Sequence, residues 1–308
     1  MLSTLCSIFP FSVLPVMKPQ SAILDAIPDH ARHLFFDLDP ADDSRAALRA
    51  LATACDGKSA VMGIGVKVAE VLGVDMAGLR GFPVLPDARP PIPATQHALW
   101  LWLRGNEPGE LLLRGHALQA MAAPAFTQAQ AIDSFRYRDS RDLTGYEDGT
   151  ENPKDEAAVE AAIAQGQGRG IDGSSFAAIQ QWLHDFPVFD ALPRAQQNNC
   201  FGRDRDSNEE LGDAPESAHV KRTAQEDFDP EAFVVRRSMP WVAGVDAGLL
   251  FLAFGKSFDA FEAQLRRMTG HDDGISDALF HFTRPLTGGY YWCPPMAGNA
   301  VDLSALGV

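Results

Sequence analysis

The run Arg32-His-Leu-Phe-Phe-Asp-Leu-Asp39 reads as a β-strand, short, dense in bulky apolar side chains and closed by aspartate. The period then changes. Over 43–54, Ala47, Leu48, Leu51 and Ala52 fall on one helical face. Residues 59–66 form a second strand, and His97-Ala-Leu-Trp-Leu-Trp-Leu103 a third, apolar on both faces. A helix over 110–122 and a strand over 134–138 complete the order β-α-β-β-α-β. That is the ferredoxin-like arrangement, an antiparallel sheet with helices on one face. Residues 68–93 add a helix and a Pro-rich loop.

The second half follows a similar plan. Strands are expected over 176–184, 233–238 and 248–254. A helix over 257–268 carries Phe258, Phe261, Leu265 and Met268 at helical spacing, with Asp259 in its first turn, Arg266 and Arg267 in its last, and Gly270 beyond. The fold class is therefore α+β, with two ferredoxin-like domains over 20–140 and 141–308 behind an N-terminal extension over 1–19. The Gly-rich stretch 165–175 and the acidic stretch 204–216 read as loops.

The 308 residues carry 26 Lys and Arg against 41 Asp and Glu, a net charge of −15. That excludes a general binder of nucleic acid or anionic membrane, which needs a basic surface. No run reaches the roughly 20 apolar residues of a membrane span. Cys6, Cys55, Cys200 and Cys293 show no CxxC spacing, which offers neither a zinc ribbon nor a redox motif and fits a reducing compartment. Residues 1–16 are apolar but lack the basic start of an export signal. A cytoplasmic protein handling small molecules is expected.

Two glycine clusters, Gly63-Ile-Gly65 and Gly166-Gln-Gly168-Arg-Gly170, lack the context of a nucleotide loop and read as turns. The segment Asp142-Leu-Thr-Gly145-Tyr-Glu-Asp148-Gly149-Thr-Glu-Asn-Pro153 is more informative. On spacing alone it is a solvated turn, but its glycines allow close approach of a ligand to Asp148. Among eight histidines, His219 stands out in Ser217-Ala-His-Val-Lys-Arg222, ahead of a strand bearing Arg236 and Arg237.

These segments resemble the dye-decolorizing peroxidases. Gly145-Tyr-Glu-Asp148-Gly149 is similar to that family's GxxDG signature. Ser217–Arg222, Val235-Arg-Arg-Ser238, Gly248-Leu-Leu-Phe-Leu-Ala-Phe254 and Phe282-Thr-Arg-Pro-Leu-Thr-Gly-Gly-Tyr-Tyr-Trp292 follow in the family's order. The resemblance runs from about residue 20 to 295 and is nearest the compact B-type branch. It implies a dimeric α+β barrel-like fold and one haem b per chain, held mainly by the C-terminal half. His219 would be the iron ligand and Asp277 the carboxylate that accepts its second ring proton. Asp148 would be the acid–base residue and Arg236 the distal cation. Ser238, Leu250 and Phe251 would line the haem pocket.

The implied activity is reduction of hydrogen peroxide through a ferryl intermediate, with one-electron oxidation of aromatic, dye or porphyrin-like donors. The alternative is a haem carrier or haem-handling protein with incidental peroxidase activity. Trp241, Tyr290, Tyr291 and Trp292 are candidate electron relays to bulky dyes at the surface. The resemblance also implies a homo-oligomer. Ala305-Leu-Gly-Val308 faintly echoes the tail by which some relatives enter encapsulin shells.

Overall fold

In a computed structural model, residues 17–39, 43–86 and 88–308 are described. The expected extension over 1–19 therefore lies outside the described residues, except for its last three, as does Cys6. The first half runs β1 (His30–Leu38), α1 (Ser44–Ala54), β2 (Ala60–Ile64), α2 (Val66–Leu72), β3 (Leu99–Gly105), α3 (Pro108–Ala122) and β4 (Phe126–Phe135). Asp43 caps α1 by accepting from the Arg45 amide, and Glu107 caps α3 ahead of Pro108. The strands lie antiparallel in the order β2-β3-β1-β4. β4 begins well before the expected residue 134. Its inward positions include Gln128 and Gln130, so no apolar period announces it.

The second half runs α4 (Asp155–Ala162), β5 (Ser175–His184), α5 (Phe186–Ala191), α6 (Arg194–Phe201), α7 (His219–Arg222), β6 (Val235–Arg236), β7 (Met239–Ala243), β8 (Asp246–Gly255), α8 (Asp259–Met268), β9 (Thr283–Pro285) and β10 (Gly289–Cys293). Its order β7-β8-β5-β10 repeats the first half: second, third, first and fourth strand. The two sheets meet at β4–β7, through Ser134 opposite Trp241, and at β2–β10, through Ile64 opposite Trp292. Eight antiparallel strands thereby close into a barrel. β6 and β9 extend it at β8 and β5.

Phe35, Trp100, Trp102, Phe254 and Tyr291 fill the barrel, none more than 5% exposed. Leu99, Leu101 and Leu103 alternate outward on β3 and pack under α1 and α3 with Leu48, Leu51 and Leu118. β3 is thus apolar on both faces because both faces are covered. Where β8 crosses β5, a Cβ on Gly248 would sit 2.0 Å from the Trp182 carbonyl, so only glycine admits this approach.

A buried polar cluster lies inside the barrel around His33. The Trp100 Nε1–H donates to His33 Nδ1 at 3.3 Å, and His33 Nε2 lies 3.4 Å from Ser134 Oγ. An indole can only donate, so Nδ1 accepts and the proton sits on Nε2. Burial pushes the His33 pKa down to about 3 and holds the ring neutral.

Of the residues that echo a shell-docking tail, Leu306 is in the core and Ala305 and Val308 pack partly buried against it. Leu303 and Leu306 are buried, and Arg45 Nη1 donates to the Gly307 carbonyl. Among the described residues no helix is long and apolar enough to cross a membrane.

Candidate haem site

The outer face of β5 and β8 forms the floor of the site. On β8, Leu250, Leu252 and Phe254 point into the barrel, so Leu249 and Phe251 point out. They stand opposite Trp182 and Gln180 of β5. α8 covers this floor with Phe261, Gln264, Leu265 and Met268, four residues on one helical face. Between floor and cover lie two adjoining cavities of about 220 and 90 Å³. Together they reach the lower end of the roughly 300–1,000 Å³ of small-molecule sites. Asp148, His184, His219, Thr223, Arg236, Leu249, Gln264, Leu279 and Thr283 line both.

His219 opens the short helix α7, which is held from three sides. Arg222 donates to both oxygens of Asp273 at 2.8 Å and to the Arg267 carbonyl. The Ala278 amide donates to the Ser217 carbonyl, and Thr223 Oγ1 to the His219 carbonyl. His219 Nδ1 lies 2.7 Å from Oδ2 of Asp277, a fully buried side chain whose Oδ1 accepts from the Leu279 amide. A carboxylate only accepts, so Nδ1 carries the proton. Nε2 keeps its lone pair for the cavity that the ring lines.

Asp148 sits in a turn between Gly145 and Gly149, both at positive φ. At Gly149 a Cβ would also lie 2.7 Å from Asn152 Nδ2. That amide is engaged: Asn152 Nδ2 donates to the Arg236 carbonyl at 3.1 Å, and its Oδ1 accepts from the Arg236 amide at 2.7 Å. Asn152 thus ties the Asp148 loop to the strand bearing Arg236. Asp148 Oδ1 and Arg236 Nη1 end 4.0 Å apart, each side chain about four-fifths buried.

The loop has a second anchor in Asp142. Its Oδ1 accepts from the amide and hydroxyl of Thr144, and its Oδ2 lies 2.9 Å from His184 Nε2. Against the effect of burial, the neighbouring His184 ring and the Thr144 hydrogen bonds hold the Asp142 carboxyl below its ordinary value. His184 Nδ1 in turn meets Thr283 Oγ1 at 2.7 Å. His184→Phe, which breaks this chain, is expected to lower kcat/KM for hydrogen peroxide by roughly 10–100-fold through displacement of Asp148. His184→Gln, which can still donate to Asp142, should retain most of the rate. Stopped-flow mixing with peroxide separates the two.

Of the residues expected from sequence, Asp148, His219, Arg236 and Phe251 line the cavities, and Asp277 stands behind His219. Leu250 faces the barrel instead, because it alternates with Phe251. Ser238 does not line the cavities either. The strand breaks after Arg236: Arg237 N donates to the Leu252 carbonyl, and the Leu252 amide turns to Ser238 Oγ at 3.4 Å. The hydroxyl thus stands in for a missing ladder bond. Trp241, Tyr290, Tyr291 and Trp292 are all buried to at least 96%, so none presents a surface for a dye. Sequence reasoning missed Asp142, Asn152 and His184. Leu249 could have been found from the two-residue period of β8.

The site suits haem. Its walls are apolar, as a porphyrin face requires, and one imidazole offers a lone pair to iron. Gln180 Nε2 and Trp182 Nε1 are buried donors without a protein partner. Among the described residues no group of three or more His, Cys, Asp or Glu could hold a metal. Iron here would need a macrocycle's nitrogens.

Residues 139–298 match the family model of the Dyp-type peroxidase C-terminal region. The chain belongs to the Dyp-type peroxidase family. This Dyp-type peroxidase is 32% identical over 245 residues to the dye-decolorizing peroxidase of Mycolicibacterium paratuberculosis, spanning 77% of this chain and 69% of that one. Its fold is similar to that of a Dyp-type peroxidase protein from Shewanella oneidensis, with TM-score 0.84 and 26% identity over 94% of this chain and 98% of the other. It is also similar to a Rhodococcus jostii RHA1 DypB variant in complex with heme, with TM-score 0.79 and 25% identity over 89% and 95% of the two chains. The antiparallel barrel is the fold of these Dyp-type peroxidases, and the chain is a haem peroxidase.

Proposed function

We propose that His219 holds the iron of one haem b in the C-terminal half, residues 141–308, and that Asp148 and Arg236 carry out the peroxide chemistry. The observation that carries this reading is the His219–Asp277 pair at 2.7 Å, which commits Nδ1 and leaves Nε2 to the cavity that Asp148 and Arg236 also line. Bound haem supplies the iron at which peroxide is reduced and the oxidising power passed on to donors. Asp277 strengthens His219 as a ligand by accepting its Nδ1 proton. Asp148 takes the proton from the inner oxygen of hydrogen peroxide and returns one to the outer oxygen, which leaves as water. At 4.0 Å the Asp148–Arg236 contact is an ion pair without a short hydrogen bond, so the carboxylate is available for both transfers. Arg236 places a fixed positive charge where negative charge builds as the O–O bond breaks. Aromatic or porphyrin-like donors then each give up one electron.

The test is the visible spectrum of the haem-loaded protein. His219→Ala should lose the histidine-ligated ferric spectrum and regain it with added imidazole. A variant spectrum identical to that of the wild type would overturn the assignment.

A further inference from the structure

α8 has a second face. Phe261, Gln264, Leu265 and Met268 cover the haem cavity, while Asp259, Ala260 and Ala263 on the opposite side line a groove of about 600 Å³. The groove therefore lies one helix, about 10 Å, from the cavity. A hydrogen bond joins the two walls: Gln264 Nε2 donates to the carbonyl of Ala232, which lines the groove.

The lining has two parts. Its floor is apolar, made by Pro153, Ala157 and Ala161 beside Phe233 and Ala263. Phe228 adds an aromatic wall whose ring already carries a cation, with the Arg267 guanidinium carbon 3.4 Å from its centroid. The rim is acidic, with Glu151, Glu160, Asp229, Glu231 and Asp259 against Lys256, the one cation among the lining residues. Asp259 is paired with Arg80, and Glu151 with Arg203. Among the described residues, Glu160, Asp229 and Glu231 form no ion pair.

An apolar, aromatic floor under an unbalanced negative rim fits one kind of small molecule. We propose that this groove binds the reductant and that the reductant is a planar aromatic cation. The proposal rests on the peroxidase reading of the adjoining cavity and names the donor class it uses. Reduction of hydrogen peroxide to two waters consumes two electrons and two protons. Two donor molecules in turn each yield one electron across α8, and an aromatic amine also yields one N–H proton to a rim carboxylate. The same rim that attracts the cation disfavours rings bearing sulfonates in this groove.

Binding is measured on haem-loaded protein without peroxide, by fluorescence anisotropy of a phenothiazinium dye and of a sulfonated anionic dye of similar size. At low salt the cation should bind at least about tenfold more tightly, and the margin should shrink at high ionic strength. Glu160→Gln/Glu231→Gln changes two exposed side chains outside the catalytic machinery. It should lose most of that margin while its peroxide reaction rate stays at the wild-type value. Ala263→Phe, which fills the floor, should weaken the cation by a further fivefold or more. Equal binding of the two dyes, or a double variant that holds the cation as tightly as wild type, would overturn the proposal. Because no peroxide is present, failure of the Asp148 assignment would leave these results untouched. An active peroxidase that fails them defeats the groove alone.

Discussion

Replacing Asp148 by asparagine is expected to slow the reaction with hydrogen peroxide by roughly 10²–10⁴-fold, the usual contribution of a positioned acid–base group. Asparagine keeps the size of the side chain but cannot accept and return a proton. The turn should survive, because its form depends on Gly145, Gly149 and Asn152 rather than on the carboxylate. Haem affinity should therefore stay near the wild-type value in a spectrophotometric titration, while stopped-flow mixing with peroxide shows the loss. A variant that reacted at the wild-type rate with Arg236 intact would remove Asp148 from the mechanism. It would also strengthen the reading of the protein as a haem carrier.

The second large effect concerns acid stability and arises in the barrel. Folded His33 titrates at about 3, against 6.5 for an unburied histidine. Between those values the unfolded chain takes up a proton at this position and the folded chain does not. The contribution of His33 is complete above pH 6.5 and is lost as pH falls toward 3, by about 1.4 kcal/mol per pH unit. Urea midpoints at pH 7, 5.5 and 4.5 for wild type and His33→Gln provide the measurement. Glutamine can accept from Trp100 and donate to Ser134 but does not titrate, so the variant should lose less stability across this range. Parallel curves would show that His33 is not the group responsible.

The sequence disclosed the framework because period and burial coincide. Leu99, Leu101 and Leu103 alternate with Trp100 and Trp102, and each set found its own core. Where they part company, the reading failed. β4 carries glutamines inward, one of which donates to Gln181, so its first eight residues gave no signal. At the site, the residues set in recognisable motifs, Asp148, His219 and Arg236, lie on the cavity walls. Pairing Leu250 with Phe251 ignored the alternation of a strand. Ser238 is absent from the cavity walls for another reason: the break after Arg236 turns its hydroxyl to a backbone amide, and no local pattern encodes that break. His184 was invisible because its meaning depends on Asp142, 42 residues away in the chain.

The barrel closes at two seams, each a single ladder pair, and the strands on either side are made at different times. β1–β4 are complete at residue 135, whereas β10 begins at residue 289. At a ribosomal rate of about 5–20 residues per second, roughly 8–30 s separate the two events. Until β7 and then β10 follow, the nascent first half has unpaired edges at β4 and β2, and Trp102 and Trp100 lack Phe254 and Tyr291. Open edges beside exposed aromatic rings invite pairing with other chains. The later half thus does more than carry the candidate haem site: with β7 and β10 it seals the edges that its predecessor exposes.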